Sequence, residues 1–310
     1  MELNQDAELG SGQVEDLRGS GGGGGGGFGG GGGFGGIPIP IGGGRIGLIV
    51  TIVIVLGMVC LGGAFGTNIL GGSSGDQKPD NTSLEQRCGR NNPNRFQDVD
   101  CRNWLYVTSI QAFWTDGFPQ YFGKEYTATT TRFFSNAVNT GCGQADSGVG
   151  PFYCPADHHV YIDLTFYNEL SNRFGAKGEF AAPYVLAHEY GHHIQTLLGT
   201  EAGSDTGANS GAVRLELQAD CYAGVWANHA TETKDAKGQA LFKSITKQDI
   251  QEAVETAGAI GDDTIQERSG TGVNPDKFTH GTSAQRQRWF TTGYNSGDPR
   301  NCDTFSASQL

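Results

Sequence analysis

Residues 180–198 read FAAPYVLAHEYGHHIQTLL, and this stretch decides the interpretation of the whole chain. Pro183 is tolerated in the first turn of a helix, and the glycine that follows the stretch is a common helix-ending residue. We therefore predict a helix over residues 180–198. Side chains four positions apart share one helical face, so His188 and His192 are predicted to bind the same metal ion.

A second predicted helix, residues 209–230, supplies the carboxylate that such a site lacks. Glu216 follows His192 by 24 residues. Two histidines and one carboxylate leave the fourth position of zinc open, which is typical of catalytic rather than structural sites. Glu189 is predicted to contact water at the ion as a general base. Asp220, one turn after Glu216, is predicted to accept the outer ring N–H of a ligand histidine.

A hydrolytic site of this kind also needs a donor for the oxyanion of its transition state. His280 is our candidate, because it stands among small polar residues just before a helix start predicted at Thr282. Tyr222 and Arg286 are weaker alternatives. A structural or surface role for His280 is equally compatible with the sequence.

The remaining pattern predicts an α+β fold in which a small β-sheet comes early and helices follow. Thr246 and Asp249 form a capping-box pattern at the start of one of these helices. Gly-, Asp- and Thr-rich stretches at residues 200–208 and 258–277 are predicted to be loops. The other predicted elements are helices at residues 104–114, 166–174, 246–256 and 282–293, and strands at residues 126–134 and 159–164.

The first part of the chain differs in composition from the rest. Within residues 19–44, 18 of 26 residues are glycine, so we predict a disordered, Gly-rich N-terminal tail over residues 1–45. Residues 46–66 are uncharged and apolar enough to span about 30 Å as a transmembrane helix; a signal peptide is the alternative, but this apolar run is longer than a typical signal core. Residues 67–86 are predicted to be a linker and residues 87–310 a single domain that carries the candidate zinc site.

Six cysteines follow the predicted span, and an even number suits an oxidising compartment. Fifteen pairings are possible; short separations favour Cys88–Cys101 and Cys142–Cys154, which leaves Cys221–Cys302. Arg45, just before the span, favours a cytoplasmic N-terminus. We therefore expect a single-pass cell-membrane protein with an extracytoplasmic catalytic domain.

Net charge argues against one class of partner. The chain carries 21 basic and 33 acidic side chains, for a formal charge of −12, and it has no basic run. This composition disfavours nucleic acid as a partner.

Several motifs resemble those of known families. The His-Glu-x-x-His motif with a later Glu-x-x-Ala-Asp resembles the gluzincin metallopeptidases. The chain more closely resembles the bacterial putative neutral zinc metallopeptidases, which implies a zincin-like fold, zinc as cofactor, His188, His192 and Glu216 as ligands, and Glu189 as base. The segments that carry this resemblance are residues 14–19, 150–157, 160–163, 188–193, 214–221 and 280–286.

The predicted function is therefore a membrane-anchored, zinc-dependent metallopeptidase with an unidentified peptide or protein substrate. Two other functions fit the sequence. One is a non-catalytic, membrane-tethered zinc-binding interaction module, and the other is a zinc hydrolase acting on a non-peptide amide of the cell envelope. Glu189 argues against the first alternative, because a structural metal site does not need a base beside an open position.

Overall fold

The structure is a computed structural model that describes residues 1–18, 78–176, 178–203, 205–270 and 272–310. These residues contain eight α-helices and eight short β-strands. The α+β class predicted from the sequence is confirmed. The helices are α1 (Thr82–Cys88), α2 (Val99–Phe122), α3 (Phe166–Phe174), α4 (Ala181–Leu198), α5 (Gly211–His229), α6 (Lys247–Ala259), α7 (Asp262–Ser269) and α8 (Ser283–Ser296). The strands are β1 (Glu2–Leu3), β2 (Val14–Asp16), β3 (Thr130–Phe133), β4 (Ala137–Thr140), β5 (Gly143–Asp146), β6 (Phe152–Cys154), β7 (His159–Ile162) and β8 (Phe242–Ser244).

The main sheet has four strands in the order β2-β3-β7-β6. β2 and β7 both run parallel to β3, whereas β6 runs antiparallel to β7 with Tyr153 opposite Val160. β6 is therefore an edge strand of this sheet. Two smaller pairs, β1 with β8 and the hairpin β4–β5, complete the β-structure of the described residues.

Local sequence signals set the ends of the site-bearing helices. The Ser210 hydroxyl accepts the Val213 N–H at 3.2 Å and so caps α5. Gly199 ends α4 with a φ of 75°, a left-handed conformation that favours glycine. The predicted capping box of Thr246 and Asp249 is present at the start of α6. These caps fix where α4, α5 and α6 begin or end, and they agree with the sequence prediction to within a few residues.

The long helices pack around a shared apolar core that also covers one face of the main sheet. Trp114 of α2, Tyr190 of α4 and Trp226 of α5 are among its fully buried side chains. α8 lies across α5 so closely that a Cβ on Gly293 would overlap the Cys221 carbonyl oxygen, at 1.9 Å. α5 and α8 are thus packed backbone against backbone at this point.

All three disulfides predicted from the sequence are present in the structure. They join Cys88 to Cys101, Cys142 to Cys154 and Cys221 to Cys302. The last one fastens the C-terminal segment to α5.

The N-terminal residues differ from the predicted tail. Residues 1–18 include β1 and β2, and β2 forms one edge of the main sheet. Arg18 binds the Asp100 carboxylate of α2 through two nitrogens, at 2.7 and 3.2 Å. Residues 82–86, predicted to lie in the linker, belong to α1. Long-range pairing and ion pairs thus order segments whose local composition predicted disorder.

The predicted membrane span, residues 46–66, lies outside the described residues, as do residues 19–45 and 67–77. Among the helices that the structure does describe, none is long and apolar enough to cross a membrane. In addition, β2 pairs with β3, whereas a single crossing between residues 18 and 78 would place these strands on opposite sides of a bilayer. The predicted location, a single-pass membrane protein with a cytoplasmic N-terminus and an extracytoplasmic domain, is therefore wrong.

Candidate metal and catalytic site

Two crossing helices bring the predicted metal ligands together. His188 and His192 lie on α4 and Glu216 on α5, and one donor atom from each lies within 4.8 Å of the others. The Nε2 atoms of His188 and His192 are 3.2 and 3.5 Å from the Glu216 carboxylate oxygens. Donors about 2.0–2.1 Å from a tetrahedral ion lie about 3.3 Å apart. The observed spacing therefore fits a single zinc-sized ion.

The chemistry of the donor set also fits a cation. His188 Nδ1 lies 2.8 Å from the Asp220 carboxylate and His192 Nδ1 lies 2.8 Å from Gln195 Oε1. Both partners are acceptors, so each Nδ1 carries a proton, and when the rings are neutral each Nε2 presents its lone pair towards Glu216. Only acceptors then meet at this buried point. A cation among them satisfies all three.

Asp220 lies behind His188, on the side of the ring away from Glu216. It is fully buried and also accepts hydrogen bonds from the Tyr184 hydroxyl at 2.6 Å and from Arg286 at 2.8 and 2.9 Å. Burial opposes ionisation of Asp220, but Arg286 and His188 outweigh it and lower the carboxyl pKa to about 2. Asp220 is therefore a carboxylate at neutral pH.

The two histidines have opposite pKa shifts in the absence of metal. Burial opposes protonation of His188, but the charges of Asp220 and Glu216 prevail and raise its pKa to about 10. For His192 burial prevails, and the pKa is lowered. A proton on His188 thus takes the place of a metal charge in the metal-free protein.

Glu189 lies beside this cluster and is 8% exposed. Burial raises the pKa of its carboxyl to about 7, against the opposing charge of His188. A carboxyl with this pKa can both accept and release a proton near neutral pH.

A cleft of about 590 Å³ reaches the three donors and Glu189, all of which line it. Tyr153 of the edge strand β6 lines another part of its wall. The cleft lining also includes apolar side chains, among them Val149, Phe166, Val185 and Ile265. α3, α7 and β6 thus contribute to the walls of this cleft.

His280 lines the same cleft. Its Nδ1 lies 3.2 Å from the Asp262 carboxylate of α7, which also accepts the backbone N–H groups of Thr279 and His280 at 2.7 Å. Burial works against protonation of His280, but Asp262 and Glu216 outweigh it and raise its pKa. His280 is therefore a fixed, readily protonated donor, although its catalytic role stays a prediction.

The two alternatives to His280, Arg286 and Tyr222, have different surroundings. Arg286 also lines the cleft, but its guanidinium is bound to Asp220 and Tyr184, behind His188. Tyr222 is buried against Trp114 and does not line the cleft. Sequence reasoning missed Tyr184, Gln195 and Asp262, because their roles depend on contacts between elements that no motif spacing reports.

The fold and the donor set place the protein in a class of α+β proteins in which two packed helices carry a His–His–carboxylate cluster that could hold a metal ion. The chain belongs to the family described as putative neutral zinc metallopeptidase, whose model matches residues 3–305. This match confirms the resemblance found in the sequence.

Two relatives show how far the similarity extends. The chain is 48% identical over 222 residues to the uncharacterized protein Rv2575 of Mycobacterium tuberculosis, covering 70% of this chain and 73% of the relative. It is 39% identical over 273 residues to the uncharacterized protein YpfJ of Escherichia coli K12, covering 86% and 88%. No solved structure matches the chain significantly.

Proposed function

We propose that this protein is a zinc-dependent peptidase that hydrolyses peptide bonds in the cleft at His188, His192 and Glu216. The observation that carries the proposal is the position of Glu189, a buried carboxyl with a pKa of about 7 in the same cleft as three converging metal donors. A structural metal site gains nothing from such a group.

In the proposed reaction, metal binding, proton transfer and orientation of a ligand are carried out by different residues of the chain. Zinc bound by His188, His192 and Glu216 would supply Lewis acidity, which polarises a carbonyl and makes water more acidic. Glu189 accepts a proton from the attacking water on a carboxylate oxygen and returns it to the amine that leaves. Asp220 keeps the ring of His188 oriented throughout.

His280 is proposed as the donor to the oxyanion. Asp262 fixes its ring through Nδ1 and favours the protonated form. A positioned, charged donor stabilises negative charge that develops on a substrate oxygen, and removal of such a donor typically costs about 10²–10³-fold in rate.

The edge strand β6 favours a peptide over other amides. One side of β6 pairs with β7, and residues of β6 line the cleft. An extended peptide can add to a strand edge through main-chain hydrogen bonds. The backbone of Tyr153 in β6 is hydrogen-bonded to the Glu189 carboxyl, so a peptide bound along this strand would take over that contact and lie beside Glu189. A non-peptide amide would gain nothing from this strand.

The test is Glu189→Gln, measured by zinc content and by cleavage of a peptide library. Zinc should stay bound, because the three donors are unchanged, and hydrolysis should fall by about 10²–10⁴-fold. Glu255→Gln, an exposed change on α6, is the matched control and should keep full activity. Wild-type protein that holds zinc in full yet cleaves no peptide would contradict the proposal and favour a binding role.

A further inference from the structure

A chain of side-chain amides connects His192 to the C-terminal segment. His192 Nδ1 donates to Gln195 Oε1 at 2.8 Å, and Gln195 Nε2 donates to the Leu215 carbonyl at 2.7 Å and to Gln218 Oε1 at 3.2 Å. Gln218 Nε2 then donates to the Cys302 carbonyl at 3.0 Å. Gln195 is 2% exposed and Gln218 7% exposed, so water does not compete strongly for these bonds.

The direction of every bond in this chain is determined. A backbone carbonyl only accepts, so Gln218 must present its NH₂ group to Cys302 and its oxygen to Gln195. The Leu215 carbonyl independently requires that Gln195 also present its NH₂ group on that side. The oxygen of Gln195 therefore faces His192, and His192 must donate from Nδ1.

We propose that Gln195 is a positioning residue that holds His192 in the Nδ1-protonated tautomer and so keeps its Nε2 free for the metal. The inference rests on the proposed zinc site and concerns how that site is built. The outer partner of a ligand histidine fixes its tautomer and ring orientation. His188 receives this support from a carboxylate, whereas His192 receives it from a neutral amide that two carbonyls orient.

The C-terminal segment is itself firmly held. Cys302 is bonded to Cys221 of α5, and the Thr304 hydroxyl donates to the Arg214 carbonyl at 2.7 Å. Arg214 in turn donates to the Ala307 carbonyl at 3.0 Å. The end of the chain thus contributes, through Gln218, to the orientation of a metal ligand on α4.

The test compares the zinc affinity of purified full-length variants by competition with a chromogenic chelator. Gln195→Leu removes the acceptor of His192 and should weaken zinc binding by about 10–100-fold. Gln111→Leu is the matched control, because Gln111 is equally buried and hydrogen-bonded but contacts none of the three donors. It should keep zinc affinity even where it lowers the free energy of unfolding.

A rescue variant distinguishes the positioning of His192 by Gln195 from a mere packing role of the Gln195 side chain. Gln195→Glu in its protonated form can still accept from His192 and donate to Leu215, so it should restore most of the affinity. Gln218→Leu should cost less than Gln195→Leu, since the Leu215 carbonyl still orients Gln195. The absorption spectrum of cobalt-substituted protein should change for Gln195→Leu and not for Gln111→Leu.

The outcomes separate this inference from the proposed function. Zinc affinity in Gln195→Leu no lower than in Gln111→Leu would overturn the role of Gln195 and leave the peptidase untouched. If Gln195→Leu does not fold, Gln195→Met provides the same comparison. Wild-type protein that fails to bind zinc would overturn both.

Discussion

Gly191 of α4 and Ala219 of α5 lie in direct contact: a Cβ added to Gly191 would come within 2.8 Å of the Ala219 Cα. Gly191 stands between the two histidines of its motif, and Ala219 stands between Glu216 and Asp220. The small residues of the two motifs thus let the helices approach closely enough for their metal donors to meet.

Gly191→Ala is expected to destabilise the protein, although alanine favours a helix by about 1 kcal/mol over glycine. Overpacking against backbone atoms of α5 should cost about 1–3 kcal/mol, and separation of the helices should weaken zinc binding. Urea unfolding and chelator competition measure the two effects. Gly117→Ala in α2 is the control, because its Cβ would meet only side-chain ring atoms, the nearest at 3.2 Å. A Gly191→Ala protein as stable as wild type would refute the close contact.

The features that the sequence predicted correctly are those determined by residues close together in the chain. A few consecutive residues are enough to define the helical spacing of His188 and His192. The same is true of the capping box at Thr246. The disulfides Cys88–Cys101 and Cys142–Cys154 span only 13 and 12 residues. Local geometry was sufficient for these features.

What sequence missed depends on distant partners. β2 is three residues long and acquires its structure only by pairing with β3, more than a hundred residues later. Helix α7, in a stretch predicted to be a loop, carries Asp262, which binds the backbone around His280. The amide of Gln195 has a defined direction only because carbonyls from other segments orient it. Neither hydrophobic periodicity nor a short motif predicts contacts between residues so far apart in the chain.

Zinc binding should release about one proton, mainly from His188. Its pKa of about 10 in the metal-free protein means that it is protonated at neutral pH, and a histidine must lose this extra proton to bind a metal. Below that pKa, the apparent zinc affinity should therefore rise by about tenfold per pH unit. Calorimetry in buffers of different ionisation enthalpy counts the protons, and an affinity that stays constant from pH 6 to 8 would contradict the assignment.

Asp100 should stabilise the attachment of the N-terminal segment at neutral pH but not in acid. Burial alone would raise its pKa, but Arg18 and Arg87 outweigh burial and lower it. Because the folded pKa lies below the unfolded value of about 3.9, the stabilisation is present above about pH 4 and is lost as the pH falls through the folded pKa.

Asp100→Asn should accordingly lower the free energy of unfolding by about 2 kcal/mol at pH 7, and the difference from wild type should shrink as the pH falls below 4. Urea unfolding across this range measures it. Asp116→Asn, an exposed change on the same helix, should have little effect at any pH. An equal loss for Asp100→Asn at pH 7 and in acid would mean that the carboxylate charge is not what stabilises the segment.

The disulfide Cys142–Cys154 should be the first of the three to be reduced, and its loss should alter the wall of the cleft. Cys142 is half-buried, whereas the four cysteines of the other two bridges are at most 2% exposed. The bridge ties the hairpin β4–β5 to the edge strand β6, and Cys142 lines the cleft. Limited treatment with a dithiol, followed by alkylation and peptide mass mapping, gives the order of reduction.

The double variant Cys142→Ser/Cys154→Ser should lose about 3 kcal/mol of stability, as expected for a bridge that closes a short loop. In the proposed peptidase it should also raise KM more than it lowers kcat, because β6 is the strand proposed to hold the substrate while Glu189 and the donors on α4 and α5 are left in place. Reduction of Cys88–Cys101 or Cys221–Cys302 before this bridge would show that the exposure of the cysteines does not determine the order of reduction. An unchanged KM in the double variant would show that the hairpin β4–β5 does not contribute to substrate binding.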